Sequence, residues 1–192
     1  MKTLFDKGNY GEFLTFAELE KLKGPKRLLT NLYLPKYDGT TTEVDLIMLH
    51  ETGLYVFESK NYSGWIFGDE KSKNWMQVFP NKQKEKFFNP VWQNKAHITA
   101  LKSTLGRGDE YLIKSYIVFS ERCTLKKINV TSQNVKVLKR NAMLSSIKKE
   151  ITNTRNIMTQ IEIDRMYTIL HKFSLADSNV KQAHIKQIQM KR

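Results

Sequence analysis

The sequence predicts an α/β fold, a mixed central β-sheet flanked by helices with extra helices toward the C-terminal end. Three observations carry that reading. Helical and strand patterns follow one another in the order helix, three strands, helix, strand, which layers helices against strands of both directions. Residues 112–120 are apolar enough to be a central strand. Between the first strands and that one, Asn89-Pro90 marks a helix start, because Asn caps and Pro at the first helical position gives up only an N–H that would lack a partner.

The elements follow in order. Gly8-Asn9-Tyr10-Gly11 opens a helix through Phe13, Phe16, Ala17 and Leu19, ending near Gly24-Pro25. Residues 27–34 read as a strand, with Pro35 and Asp38-Gly39 as its turn. Residues 42–49 and 54–60 read as a hairpin around Gly53. Residues 64–68 read as a third strand of the same meander, and 75–79 as a fourth. The helix from Pro90 runs to about Leu105, ended by Gly106 and Gly108. Residues 134–138 form a short strand, 141–152 and 159–173 form helices, and the tail from Asp177 has a weak helical pattern. With no repeat, low-complexity tract or Pro/Gly/Ser-rich linker, residues 1–175 read as a single domain and 176–192 as a basic tail or helix.

Composition narrows the function classes. Of 192 residues, 40% are hydrophobic and 11% aromatic, which suits a folded domain with a core. No apolar run nears the roughly 18–20 residues that span a bilayer, so no membrane association is expected. The first residues show no signal-peptide pattern. A single cysteine, Cys123, permits no internal disulfide, fits a reducing cytoplasm and removes any cysteine zinc site. A net charge of +13 suits a polyanionic partner such as nucleic acid, though a Lys-rich compositional habit accounts for it equally well.

The chemistry concentrates at Glu58-Ser59-Lys60, which closes the strand-like run 54–57, and at Asp45 on the preceding strand. Alternation puts Glu58 and Lys60 on one face. Two acids and a lysine buried together cost free energy that packing does not return. A divalent metal and a phosphodiester would return it. Mg²⁺ (or Mn²⁺) takes oxygen ligands, usually one or two carboxylates, and Asp45, Glu58 and the Ser59 backbone carbonyl suit that role. Lys60 would orient the attacking water and offset transition-state charge. Glu12, in the first helix, and Gln93 with His97, four apart on the second, would support them. Removing either Asp45 or Glu58 is expected to abolish cleavage and leave the fold intact or stabilised. Asp69-Glu70-Lys71 spells a similar triplet but reads as solvated loop.

Gly8-Asn9-Tyr10-Gly11-Glu12, Thr42-Glu43-Val44-Asp45, Phe57-Glu58-Ser59-Lys60-Asn61-Tyr62-Ser63-Gly64 and Asn89-Pro90-Val91-Trp92-Gln93-Asn94-Lys95-Ala96-His97 resemble, in order and spacing, the nuclease-related domain (NERD) family. That family lies in the PD-(D/E)xK nuclease superfamily, with a restriction endonuclease-like core. The resemblance covers roughly residues 5–120, leaving a C-terminal strand and helices over about 121–175. It implies metal ligands at Asp45 and Glu58, Lys60 as the superfamily's lysine, Glu12 as the helix glutamate and Gln93 as the glutamine of the later helix. His97 stands where a tyrosine is often found, and Val44 replaces the nominal proline. Glu43, two residues before Asp45, shares its face on simple alternation and is a possible ligand or supporting group.

The resemblance implies a metal-dependent nuclease hydrolysing DNA, with RNA left open. The rival is a non-catalytic nucleic-acid-binding or partner-recruiting module on the same fold, serving a helicase-type partner or a second copy of the chain through the C-terminal helices. Residues 71–88 read as a substrate-contacting loop, with Lys71, Lys73, Lys82, Lys84 and Lys86 for phosphates. At least half of Trp75, Phe79, Phe87 and Phe88 are expected to pack inward.

Overall fold

Leu54 to Phe57 are apolar at every position, and such a run belongs to a strand covered on both faces. In the computed structural model, which describes residues 7–106 and 113–174, this run is the centre of β3 (Gly53–Lys60). Its sheet has the order β1-β2-β3-β7-β9, with β1 (Arg27–Pro35), β2 (Thr41–His50), β7 (Ile113–Phe119) and β9 (Val135–Lys139). The strands β1, β2 and β3 are antiparallel neighbours, whereas β3, β7 and β9 run parallel. On one face α1 (Lys7–Glu20) and α3 (Arg140–Asn153) bring Leu19, Met143 and Ile147 against Tyr55, Phe57 and Tyr116. On the other, α2 (Pro90–Leu105) and α4 (Gln160–Ser174) bring Leu101, Ile163 and Leu170 against Ile47, Leu49 and Val56. This mixed α/β architecture is consistent with the expected restriction endonuclease-like core. The helices α3 and α4 each supply side chains to a central core cluster, so they are part of the fold. The tail 176–192 lies outside the described residues.

The second helix starts and stops where its sequence dictates. Asn89 Oδ1 accepts the Val91 N–H at 2.9 Å, Pro90 follows, and Gly106 ends the helix in the left-handed region at φ 64°. The other end of the Asn89 amide donates to the carbonyls of Glu70 (3.0 Å) and Ser72 (2.7 Å), which ties α2 to a second sheet.

That second sheet corrects the single meander expected. It has the order β6-β5-β4-β8, formed by β4 (Gly64–Asp69), β5 (Asn74–Val78), β6 (Lys84–Phe88) and β8 (Cys123–Asn129). Strand β4 leaves β3 at Gly64, where φ is 72° and a Cβ would lie 2.4 Å from the Val78 carbonyl oxygen, so only glycine makes this turn. Residues 71–88 are therefore a hairpin, not a loop. Trp75 is buried and Phe87 packs inward with it, while Phe88 is exposed. Two parallel strands link the sheets: β3 and β7 pair in the first, and their continuations β4 and β8 pair in the second. At the break, the Ser120 N–H donates to Lys60 O at 2.9 Å, and Arg122 Nη2 donates to Asn61 O and Oδ1 at 2.9 and 3.0 Å.

Asp69-Glu70-Lys71 is likewise no solvated loop. Glu70 accepts from the Thr131 N–H at 2.8 Å, the Ser132 N–H at 3.1 Å and both hydroxyls, clasping the segment after β8 to the end of β4. The Ser132 hydroxyl holds the Glu70 carboxyl below its ordinary value; burial opposes it, and the Thr131 and Ser132 N–H groups add to the lowering. A depressed acid stabilises the fold above its unfolded pKa and loses that contribution as pH falls through the folded pKa. Glu70→Gln should therefore lower stability at pH 7 by about 1 kcal/mol, partial exposure keeping the figure modest. Denaturant melts should show the gap from wild type closing below about pH 4.5.

Candidate active site

The turn at His50–Gly53 fixes the register of the β2–β3 hairpin, with Leu46 opposite Phe57. The next position along sets Asp45 against Glu58. Pairing stops there, and the Asp45 carboxylate takes over from the strand: its Oδ2 accepts the Ser59 N–H at 2.8 Å. Alternation breaks at the same place. Val44 and Ile47, three apart, face the same core cluster, as do Leu29 and Leu32 on β1, where Asn31 has φ 53°. Both strands change phase opposite one another, at Asn31 and Asp45.

Glu43 lies directly across from Tyr33 on β1, whose hydroxyl donates to its Oε1 at 2.6 Å, and the field of Glu12 reaches the same tyrosine. Burial, then the Glu43 bond and the two acids, push the Tyr33 hydroxyl pKa up.

Glu58 is the centre of the site, 1% exposed with both oxygens engaged. Lys60 Nζ lies 2.6 Å from Oε1 and also donates to Gln93 Oε1 at 3.0 Å. His97 Nε2 lies 2.9 Å from Glu58 Oε2, and its Nδ1 is 2.7 Å from the Thr42 hydroxyl. Gln93 thus meets Lys60 as expected. His97 does not reach Lys60; it orients the acid instead, and Thr42, with no sequence signal of its own, orients His97. The Ser59 hydroxyl lies 3.1 Å from the Thr15 hydroxyl of α1. Gly11 lets α1 close on the loop after β3, since a Cβ there would sit 2.7 Å from Asn61 Cβ. Sequence reading also missed Asn94, whose amide donates to Val56 O and Ser115 Oγ at 3.0 and 2.8 Å and docks α2 on the sheet.

The two acids differ electrostatically. Burial by itself pushes the Glu58 carboxyl up, but Lys60 and then His97 outweigh it and hold it below its ordinary value. Burial lowers the Lys60 ammonium pKa, and Glu58 and Asp45 more than reverse that. Asp45 is raised well above the carboxylate range, by burial first and then by the like charges of Glu58 and Glu12, with Lys60 and the Ser59 N–H only partly compensating.

Among the described residues, no three His, Cys, Asp or Glu side chains converge closely enough to cage a metal by themselves. Mg²⁺ needs no such cage, since it keeps several waters and uses one or two carboxylates. Two carboxylates with no thiolate are a hard-oxygen donor set, and the raised Asp45 carboxyl marks unrelieved negative charge beside Glu58. The residues present fit a small divalent cation.

The model of the nuclease-related domain family matches residues 7–120, a stretch that contains Glu12, Asp45, Glu58, Lys60, Gln93 and His97. The chain belongs to the nuclease-related domain family. Over 194 aligned residues it is 34% identical to an uncharacterized protein of Bacillus anthracis, spanning 96% of this chain and 85% of that one. No solved structure matches. The likeness to the relative extends past the NERD region into α3 and α4, as their place in the core requires. Of the lysines expected to touch substrate, Lys71 and Lys73 are exposed around the β4–β5 turn, Lys82 is exposed in the β5–β6 turn, and Lys84 and Lys86 are exposed on the edge strand β6. Among the described residues of this NERD protein no helix is long and apolar enough to cross a membrane.

The electrostatics divide the expectation that either acid is dispensable to the fold. An acid with a raised folded pKa costs stability as pH climbs above its unfolded value, so Asp45→Asn should stabilise at pH 7–8, and the gain should vanish as pH falls toward 3.8. Each kcal/mol relieved should appear as about 2–4 °C in Tm. Glu58→Gln should instead cost about 3 kcal/mol, because it strands Lys60 in the interior. Thermal melts in EDTA across pH check both signs.

Proposed function

We propose that this NERD protein is a Mg²⁺- or Mn²⁺-dependent nuclease of the cytoplasm that hydrolyses DNA phosphodiester bonds, built on a PD-(D/E)xK site. The observation that carries the reading is the convergence of Asp45, Glu58 and Lys60 at the end of one hairpin, with Gln93 and His97 fixing the last two. A surface residue pair needs no such support; a reacting group does.

Asp45, Glu58 and the Ser59 carbonyl would hold the cation, which supplies Lewis-acid stabilisation of the phosphoryl oxygens and a more acidic bound water. His97 keeps Glu58 ionised and aimed, by the hydrogen bond to Oε2. Lys60 now pairs with Glu58 Oε1, and Gln93 offers its ammonium a second acceptor. Gln93 would retain Lys60 beside the reacting phosphate with a cation held at Glu58, and the ammonium charge would offset that of the transition state. Glu12 adds negative field at Asp45 and would take a hydrogen bond from a coordinated water. The exposed lysines of the β5–β6 hairpin would track the phosphate backbone. Glu58 and Asp45 hold the Lys60 ammonium pKa up against burial, so it is charged beside them and positions and stabilises.

The test is cleavage of labelled linear, circular, single-stranded and branched DNA with Mg²⁺, Mn²⁺ or EDTA. Metal-dependent products should appear with wild type, disappear for Asp45→Ala and Glu58→Ala, and fall at least about 100-fold for Lys60→Ala. Binding without cleavage of any substrate would favour a non-catalytic nucleic-acid-binding module. Mg²⁺ should also raise the Tm of wild type and not that of Asp45→Asn, a readout independent of turnover.

A further inference from the structure

The second sheet has one packed face and one open face. Ile66, Trp75 and Phe87 turn inward onto Ile117, Phe119 and Cys123. Cross-strand partners share a face, so the registers assign the opposite side. One row across the sheet reads Lys127, Phe67, Met76, Lys86, and the next reads Thr124, Trp65, Val78, Lys84. Neither row contains an acid.

Two features make this more than an ordinary exposed face. A bulge shifts the β8 register between Ile66 and Phe67, so that Leu125 and Ile128 both pack inward and the two lysines between them, Lys126 and Lys127, are both exposed. Lys126 Nζ lies 5.5 Å from the centre of the Trp65 ring, and Trp65 is 44% exposed. Beside it, Phe67, Met76, Lys86 and Lys127 line a concavity of about 550 Å³ with backbone and side chains of the β4–β5 turn. One acid, Asp69, lines the same concavity, its carboxylate taken up by the Asn129 amide and the Lys71 N–H. The aromatic and thioether surface between Lys86, Lys126 and Lys127 is what bases and phosphates together require. A duplex keeps its bases stacked on each other and offers such a surface only phosphates; an unpaired strand offers both.

The placement relative to the chemistry is direct. Strand β4 begins at Gly64, four residues after Lys60, and β8 begins beside it at Cys123. Trp65 and Lys126 therefore lie at the end of the second sheet nearest the Lys60 strand end. The row of Phe67 follows two residues on, about 7 Å away.

We propose that the open face of the second sheet is a platform for single-stranded DNA, Trp65 with Lys126 forming its first step and Phe67 with Met76, Lys86 and Lys127 its second. The proposal rests on the DNA-nuclease reading and narrows its substrate to DNA with an unpaired strand at the site.

The test is anisotropy of a short labelled oligo(dT) in EDTA, so that binding is read without cleavage. Trp65→Ala should weaken wild-type affinity about tenfold, the effect of losing one stacked base. Lys126→Ala/Lys127→Ala should reduce the slope of log affinity against log salt by about 1.4. All three side chains are exposed, and an unchanged Tm certifies the fold. Unchanged affinity in Trp65→Ala overturns the platform, as does wild-type binding of blunt duplex or oligo(rU) as tight as that of oligo(dT). The two readings fail separately. A protein that cuts DNA yet binds oligo(dT) no better than its Trp65→Ala variant loses the platform and keeps the nuclease. One that never cuts but shows both losses keeps the platform and loses the nuclease.

Discussion

A carboxylate buried at Glu58 is the constraint around which this chain is arranged. Its charge can persist inside the fold only if both oxygens find donors. One donor, Lys60, comes from its own strand; the other, His97, comes from α2 and is itself held by Thr42 on β2. The seat of α2 on the sheet is therefore specified by polar geometry as well as by Leu101 and Ala100. The Asn89 cap, the Asn94 amide and the Gly106 stop fix where that helix begins, lies and ends. A shift of one residue along α2 would rotate Gln93 and His97 about 100° away from Lys60 and Glu58.

Asp45 is placed by the opposite logic. Glu58 is made comfortable as a charge, whereas Asp45 is set among like charges at the point where the β2–β3 ladder ends. An acid that a fold tolerates only at a cost, beside one that it stabilises, leaves unrelieved negative charge in the interior. Lys60 partly offsets that charge, and its attachment to Gln93 holds it there.

The closeness of Asp45 to the Glu58–Lys60 end of the next strand was legible in the sequence, because a short turn containing Gly53 leaves little freedom of register. So was α2, from Asn89-Pro90 to Gly106, since caps and breakers act locally. The Tyr33 partner of Glu43 was not legible, because it depends on the β1–β2 register, which sets the two directly opposite one another. The second sheet was hidden for a similar reason. Lys84-Glu85-Lys86 and Lys126-Lys127 carry too many charges to read as strands, and each lies on a sheet edge where a charged face is tolerated and protective. Glu70 looked like a solvated acid because its partners, Thr131 and Ser132, are sixty residues away.

The break between the sheets explains why chemistry gathers where it does. Parallel strands β3 and β7 cannot be joined by a tight turn, so each runs on past the first sheet, and the two pair again as β4 and β8. Near this break two backbone groups lack a ladder partner and side chains satisfy them: the Ser59 N–H where the β2–β3 ladder has ended, and the Asn61 carbonyl in the gap itself. Asp45 takes the Ser59 N–H, and Arg122 takes the Asn61 carbonyl. A carboxylate spent on backbone in this way is held rigidly by the sheet while its remaining oxygen is not part of any ladder. The same gap turns the chain so that the two sheets meet at the catalytic strand end. The second sheet then carries cations and aromatic surface away from Lys60 along the continuation of the very strand that bears it. The buried charge cluster and the basic, aromatic face thus lie on consecutive stretches of one chain, before and after the interruption in the parallel pair.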